Sequence, residues 1–113
     1  MHEMSLAEGV LQVIEDNAKT HGFSRVKTVW LEIGELAGVE AEAMRFCFDV
    51  MVKGTLADGA RLEIVATRGE GRCLACGETV PVRLRYDPCP QCGGCPVEPV
   101  GGLEMRVKEL EVE

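Results

Sequence analysis

A chain of 113 residues with 46% hydrophobic residues fits one compact globular unit with a modest core, and this composition excludes a disordered polymer. The formal net charge of -7 argues against a protein that neutralises nucleic-acid phosphates with clustered Lys and Arg. The chain has no apolar run near the length of about 20 residues that spans a bilayer, and it does not open with a basic segment followed by an apolar one. We therefore expect a cytoplasmic protein that binds neither membrane nor nucleic acid.

The first predicted helix follows a possible capping box, in which Ser5 and Glu8 form an S-x-x-E pattern. Apolar residues then recur at helical spacing, and Gly22 is a natural residue to end the helix. A start at Ser5 leaves residues 1–4 as a free N-terminal arm.

A strand, a second helix and a second strand are predicted to follow. Alternating apolar residues predict strands over 26–36 and 61–67, and the segment 40–53 has helical periodicity. The apolar stripe of this second helix is predicted to consist of Ala43, Phe46, Cys47, Val50 and Met51.

Residues 69–101 are rich in Gly, Pro and Cys, and they lack the large aliphatic side chains of an ordinary core. The chain returns to a strand pattern at Leu103, whose apolar phase slips by one residue at Lys108-Glu109 and predicts a β-bulge. We therefore predict an α+β fold: a small three-stranded sheet with two helices, and a zinc-ribbon-like four-cysteine subdomain inserted before the last strand. The predicted domains are residues 1–68 with 102–113, and residues 69–101.

Two CxxC units stand in the insert, at Cys73 to Cys76 and at Cys89 to Cys92. Each CxxC turn can direct two thiolates to one ion, and a glycine follows each unit, where it permits positive φ. Two such turns make a tetrahedral four-sulfur site that suits Zn(II) first and iron second. Because the protein supplies all four ligands, we expect a structural ion.

Cys95 leaves the ligand set open, because Cys92-x-x-Cys95 overlaps the second unit. We favour Cys89 and Cys92, since Pro90 and Gly93 match the usual turn, which leaves Cys95 as a nearby free thiol or a possible alternative zinc ligand. Cys47 lies on a predicted helix face and is expected to be a buried apolar residue.

The N-terminus offers a second set of metal donors. The amine of Met1, the amide nitrogen of His2 and the His2 imidazole can bind one ion in adjacent chelate rings, with Glu3 supplying a fourth donor through its carboxylate or backbone. Square-planar nitrogen and oxygen donor sets suit Ni(II) and Cu(II). These residues are a candidate site for Ni(II) or Cu(II), and the alternative at this point is an N-terminus that binds no metal.

The chain lacks a Ser/His/Asp set, a phosphate-binding loop and an open metal position, so we expect that it is not an enzyme. Two alternatives to a nickel carrier remain at this point. One is a zinc-ribbon adaptor that binds protein or nucleic acid and has an inert N-terminus. The other is a rubredoxin-like iron protein.

The opening Met1-His2-Glu3-Met4-Ser5 resembles the start of the HypA/HybF family of hydrogenase nickel-incorporation proteins. The resemblance extends along the chain, through segments 34–39, 54–64 and 102–105 and both CxxC-Gly units. It implies a nickel metallochaperone for [NiFe]-hydrogenase, and in some organisms urease, with an α/β nickel-binding domain and an inserted zinc domain.

The resemblance also implies residue roles and partners. Nickel would be bound by His2 with Glu3 adjacent, and the zinc ligands would be Cys73, Cys76, Cys89 and Cys92. The implied partners are a HypB-type GTPase and the hydrogenase large subunit, and we expect a monomer or a weak homodimer. Cys95 is not required by the family pattern.

Overall fold

The computed structural model describes residues 2–84 and 87–113. The elements in chain order are α1 (His2–His21), β1 (Val26–Gly34), α2 (Ala41–Met51), β2 (Arg61–Thr67), β3 (Glu70–Cys73), β4 (Thr79–Pro81), β5 (Val97–Gly101) and β6 (Met105–Val112). Within these described ranges the strands form two three-stranded sheets, ordered β2-β1-β6 and β4-β3-β5. The α+β prediction is confirmed, including the four-cysteine subdomain inserted before the last strand, and the structure adds that this subdomain contains its own three-stranded sheet.

The chain divides into two compact units, each made from separate segments. The first unit comprises Met1–Leu31, Val39–Val65 and Arg106–Glu113, and the second comprises Glu32–Gly38 and Ala66–Met105. The domain limits proposed from composition, at 68/69 and 101/102, stay a prediction.

Helix α1 begins at His2, so the prediction of a free arm was wrong over residues 2–4, while residue 1 lies outside the described residues. Ser5 lies inside the helix and does not cap it. Residues 2–4 contain no Gly, Pro or β-branched side chain to oppose helix formation, and Glu3 in the first turn interacts favourably with the positive end of the helix dipole. The end was predicted correctly: Gly22 has φ 74° and donates its N–H to the Ala18 carbonyl at 2.8 Å.

Helix α2 starts after Glu40, whose carboxylate accepts the Ala43 N–H at 3.0 Å and caps the helix. The buried residues of α2 are Met44, Cys47 and Phe48. The predicted stripe was therefore wrong at Phe46 and Val50, which are 66% and 43% exposed. Apolar side chains occur on most sides of this helix, so the periodicity alone could not select the buried face.

The core of the first unit includes buried residues of both helices and of its sheet. Helix α1 contributes Ala7, Val10 and Ile14, which are at most 3% exposed, and strand β1 contributes Val29 and Leu31, which are fully buried. Helices α1 and α2 pack against each other. The first turn of α1, which contains His2 and Glu3, therefore belongs to a helix that is packed against α2.

Strand β6 shows the change of phase that the sequence suggested. Met105, Val107 and Leu110 are half-buried, whereas the consecutive residues Lys108 and Glu109 are both exposed. The burial pattern therefore changes phase between these two residues, and the β-bulge itself stays a prediction.

The second unit has a small core, consisting of Leu36, Cys73, Val80, Val82, Cys89 and Val97. Strand β3 pairs antiparallel with β4 and β5. No aromatic side chain contributes to this cluster of described residues, and two of its six members are cysteines of the CxxC units. So small a core requires another source of stability.

Three glycines of the second unit lie where the backbone approaches itself closely. A Cβ atom on Gly34 would lie 2.0 Å from the Gly102 carbonyl oxygen, and one on Gly69 would lie 2.1 Å from the Val82 carbonyl oxygen. A Cβ on Gly102 would lie 2.5 Å from the Arg68 carbonyl oxygen. These segments can pack together only because the three residues have no side chain.

Candidate metal centres

The first CxxC unit forms a tight turn at the end of β3. Gly77 has φ 78° and donates its N–H to the Cys73 carbonyl at 2.8 Å, which closes the turn. The Cys76 N–H points to the Cys73 Sγ at 3.4 Å. Positive φ is strained for any residue with a Cβ, which explains the glycine after the second cysteine.

The second CxxC unit repeats this geometry in a separate loop. Gly93 has φ 71° and donates its N–H to the Cys89 carbonyl at 2.8 Å. The Gly94 N–H points to the Cys92 Sγ at 3.4 Å. In each turn a backbone N–H is therefore directed at a cysteine sulfur, Cys73 Sγ in the first and Cys92 Sγ in the second.

The four sulfur atoms of these turns lie within 4.8 Å of one another. Cys73 Sγ is 3.6 Å from Cys92 Sγ, and Cys76 Sγ is 3.9 Å from Cys89 Sγ. Sulfur atoms bound to one tetrahedral ion at about 2.3 Å would lie about 3.8 Å apart. The distances therefore fit a tetrahedral four-sulfur metal site, and they are too long for a disulfide bond.

The thiols of the cluster differ in how readily they ionise. The Cys76 N–H lowers the pKa of Cys73 to about 6. The Gly94 N–H acts to lower the pKa of Cys92, but the adjacent thiols of Cys73 and Cys89 outweigh it and raise that pKa to about 12. The Cys73 thiolate thus forms readily whereas the Cys92 thiol resists ionisation, and a bound divalent cation would favour the thiolate form of all four sulfurs.

Cys95, the alternative ligand considered above, lies outside this group. It is exposed and free, and the four-sulfur cluster consists of Cys73, Cys76, Cys89 and Cys92. Cys47 is buried in α2 at 1% exposure, as its place on the helix predicts.

The N-terminal candidates lie in the first turn of α1. His2 is exposed and Glu3 is half-buried. The His2 Nδ1 atom lies 3.6 Å from the Glu3 Oε2 atom, so an imidazole nitrogen and a carboxylate oxygen are already close enough to approach one ion. Met1, whose amine is the third predicted donor, lies outside the described residues.

The helical conformation of His2 leaves its amide nitrogen without a helical hydrogen bond. The first four N–H groups of an α-helix have no intrahelical acceptor. A metal could therefore take the His2 amide nitrogen without breaking a bond of α1. The helical start thus leaves the His2 amide nitrogen available, and the chelate with the Met1 amine stays a prediction.

One contact of this site was not found by the sequence analysis. The Glu3 carboxylate accepts the main-chain N–H of Glu40 at 3.3 Å. This hydrogen bond, first among the causes, lowers the pKa of Glu3 below its ordinary value. The two residues are 37 positions apart, and no local pattern signals a contact between a side chain and a distant main-chain amide.

In the described part of the chain, neither helix has the length and apolar content that crossing a membrane requires.

Comparison with known proteins gives full-length matches. The profile of the family described as "Hydrogenase/urease nickel incorporation, metallochaperone, hypA" matches residues 1–112. A hydrogenase maturation factor HypA from Albidiferax ferrireducens is 61% identical, and one from Alkalilimnicola ehrlichii is 59% identical; both alignments cover 100% of each chain.

Solved structures of the same kind also match. The solution structure of the Ni metallochaperone HypA from Helicobacter pylori superposes with a TM-score of 0.71 at 26% identity, covering 97% of this chain and 96% of that chain. A second solution structure of a HypA protein gives a TM-score of 0.71 at 27% identity, with coverage of 100% and 97%.

Proposed function

This chain belongs to the HypA family of nickel-incorporation metallochaperones that serve hydrogenase maturation, and from this membership we propose that it delivers Ni(II) to the large subunit of a [NiFe]-hydrogenase. A HypB-type GTPase is proposed as its partner in this delivery, on the same basis. Urease is a second candidate client, since the family description names it. Family membership does not favour the alternative of a zinc-ribbon adaptor.

The proposed nickel ligands are the Met1 amine, the His2 amide and imidazole nitrogens, and Glu3. The observation that carries this proposal is the 3.6 Å separation of His2 Nδ1 and Glu3 Oε2, in a helical turn whose N–H groups have no intrahelical acceptor. Imidazole, amide and carboxylate donors suit Ni(II) in a planar arrangement. Exposure of His2 leaves the ion open to ligand exchange, which delivery requires.

We propose that the four-cysteine cluster holds a structural Zn(II). Its support is the sulfur–sulfur spacing of 3.6 and 3.9 Å, together with thiolate ligands that suit zinc. Four protein ligands leave no open coordination position, so the protein is proposed to act as a carrier and not as an enzyme. Iron in the same site would colour the protein, whereas zinc would not.

The proposed location is the cytoplasm. The cysteines are free, and closely spaced free thiols persist in reducing compartments, where metal binding replaces disulfide formation.

A transfer assay tests the delivery function. Nickel-loaded protein is mixed with a purified nickel-free precursor of the hydrogenase large subunit, in the presence of a chelator that captures free Ni(II). After separation, elemental analysis of the precursor should detect nickel above the amount obtained from free Ni(II) with the same chelator. No excess, with or without the GTPase and GTP, would overturn the proposal.

A further inference from the structure

Helix α2 exposes apolar side chains along one side. Phe46 and Val50, one helical turn apart, are 66% and 43% exposed, and the half-buried Ala43 precedes Phe46 by three residues. Residues spaced three and four apart lie on the same side of a helix, so these three residues form one surface, which we call the Phe46 patch. Apolar side chains exposed together, unlike isolated ones, are typical of a surface that contacts another protein.

Two carboxylates lie along one border of the Phe46 patch. Glu42 precedes Phe46 by four residues and Asp49 follows it by three, and helical geometry puts both on the same border. Both side chains are exposed, Glu42 at 85%. Arg45 lies 3.9 Å from the Glu42 carboxylate, but its guanidinium also donates to the Leu62 carbonyl at 2.6 Å and is therefore directed at β2. The border next to Phe46 is therefore acidic.

The charges around the Phe46 patch describe the partner that fits it. Lys53 is the other cation near the patch, and it lies in the turn beyond Val50, at the far end from Glu42. The formal net charge of -7 likewise favours a basic partner. An amphipathic helix can present apolar side chains and a row of Lys or Arg at the same spacing of three and four residues as α2. The complementary surface is therefore an amphipathic helix with a basic border.

The Phe46 patch begins close to the proposed nickel site. The Glu3 carboxylate accepts the Glu40 N–H at 3.3 Å, so the start of α2 contacts one of the proposed ligands. Phe46 follows Glu40 by six residues, which corresponds to about 9 Å along a helix. A protein bound to the patch through one helix would therefore have other residues within reach of the ion.

We propose that the hydrogenase large subunit, the proposed recipient of nickel, docks on the Phe46 patch through an amphipathic helix with Lys or Arg along one border. The inference rests on the proposed delivery function and assigns the docking step to one face of one helix. Phe46 is the anchor, since aromatic side chains that become buried in an interface contribute much of its binding energy. Glu42 and Asp49 set the orientation of the bound helix, because opposed charges favour one alignment.

Helical peptides test the surface without the recipient protein. The probe is a peptide of about 18 residues with Leu at helical spacing and Lys along the borders of its apolar face, and the control peptide has Glu in place of Lys. Zinc-loaded, isotope-labelled wild type should show amide shifts in α2 with the Lys peptide, which should bind more tightly than the Glu peptide. F46S should raise the dissociation constant of the Lys peptide by about tenfold or more. L84S, at a side chain of the second unit that is 69% exposed, should leave it unchanged.

Charge reversal tests the acidic border. E42K/D49K should bind the Glu peptide more tightly than the Lys peptide, whereas E8K/D16K, with the same charge change at two exposed positions of α1, should keep the wild-type preference. Circular dichroism and zinc content identify misfolded variants, and V50S and D49K replace F46S and E42K/D49K if those misfold. Amide shifts confined to other elements, an F46S affinity equal to that of the wild type, or an unreversed preference in E42K/D49K would each overturn the proposal.

The nickel transfer assay separates this inference from the delivery function. F46S should bind nickel and zinc like the wild type, because Phe46 is not a proposed ligand, yet it should load the large-subunit precursor about tenfold more slowly than the wild type and L84S. Equal rates in F46S and the wild type would overturn the docking surface and leave the delivery function standing. A wild type that transfers no nickel would overturn the delivery function, and with it the large subunit as the occupant of the patch.

Discussion

The Oε2 atom of Glu3 lies 3.3 Å from the main-chain nitrogen of Glu40, so one residue of the proposed nickel site accepts a hydrogen bond from the N-terminus of helix α2. The same oxygen lies 3.6 Å from His2 Nδ1. Glu3 is therefore positioned by α2 and not by α1 alone. These two contacts fix the Glu3 carboxylate relative to the His2 imidazole and to the start of α2.

Replacing His2 should abolish nickel binding while leaving zinc content and fold intact. H2A removes the imidazole nitrogen from a proposed donor set that has no other imidazole. Isothermal titration calorimetry with Ni(II) on untagged protein should detect one site in the wild type and none in H2A. The matched control is H21A, since His21 is the other histidine of the chain and lies at the opposite end of α1. One tight nickel site in H2A would contradict the ligand assignment.

Adding residues before Met1 should also abolish nickel binding. An N-terminal tag converts the terminal amine into an amide, which no longer supplies the first donor of the chelate. The same calorimetric titration, before and after proteolytic removal of the tag, should show binding only when Met1 is again the first residue. Equal binding by the tagged protein would mean that the amine is not a ligand.

Replacing Cys73 should release zinc and unfold the second unit. Metal-binding free energies of about 10 kcal/mol or more are coupled to folding in such sites, and the remaining core is small. Elemental analysis and amide NMR spectra of C73S should show loss of zinc and loss of dispersion for β3, β4 and β5. C95S is the control and should keep one zinc. A tightly held zinc in C73S would point to Cys95 as a substitute ligand.

The contact between Glu3 and Glu40 makes a prediction about pH. The Glu40 N–H lowers the pKa of Glu3, so the carboxylate form favours the folded state. This contribution is present above the ordinary pKa of glutamate and is lost as the pH falls through the lowered value. A carbon-detected NMR titration of the Glu3 carboxyl group should therefore give a midpoint below the ordinary value.

Two variants test whether the main-chain N–H of Glu40, and not its side chain, lowers the pKa of Glu3. E40P removes the donating N–H and should raise the Glu3 midpoint, while E40A removes the Glu40 carboxylate but keeps the N–H and should leave the midpoint low. A midpoint in E40P that equals the wild-type value would show that another group lowers the pKa of Glu3.

Two glycine-to-alanine substitutions should change stability in opposite directions, with G77A destabilising and G9A stabilising the protein. Gly77 has φ 78°, so G77A should cost about 1–2 kcal/mol and weaken zinc binding by about tenfold, measured by competition with a chromophoric chelator. Gly9 lies within α1 and a Cβ there meets nothing within 4 Å, so G9A should raise the unfolding free energy in urea by about 0.5–1 kcal/mol. Unchanged zinc affinity in G77A would mean that the turn tolerates a Cβ.

Local patterns were sufficient to predict the features that depend on local chemistry. The CxxC-Gly spacing alone indicated that Cys73, Cys76, Cys89 and Cys92 gather around one point, because each turn is set by a few residues. The 61–67 strand was also predicted with its observed limits, since alternation and flanking turn residues define it.

The predictions that were wrong concern features that depend on packing between distant segments. The start of α1 was misplaced because an S-x-x-E pattern at Ser5 is one possible cap, and the sequence does not indicate that residues 2–4 continue the helix. The face of α2 was misassigned because Phe46 and Phe48 are equally apolar, and contact with the rest of the unit selects Phe48 for the core.

The close approach of Gly34, Gly69 and Gly102 has a consequence for how variation in this chain is interpreted. A Cβ at any of the three would come within 2.5 Å of a backbone carbonyl oxygen. A saturation screen of folding should therefore find strong intolerance at all three positions, even though none of them bears a reactive group. Selection on these glycines would be as strict as selection on the metal ligands, for a reason that is steric and not chemical.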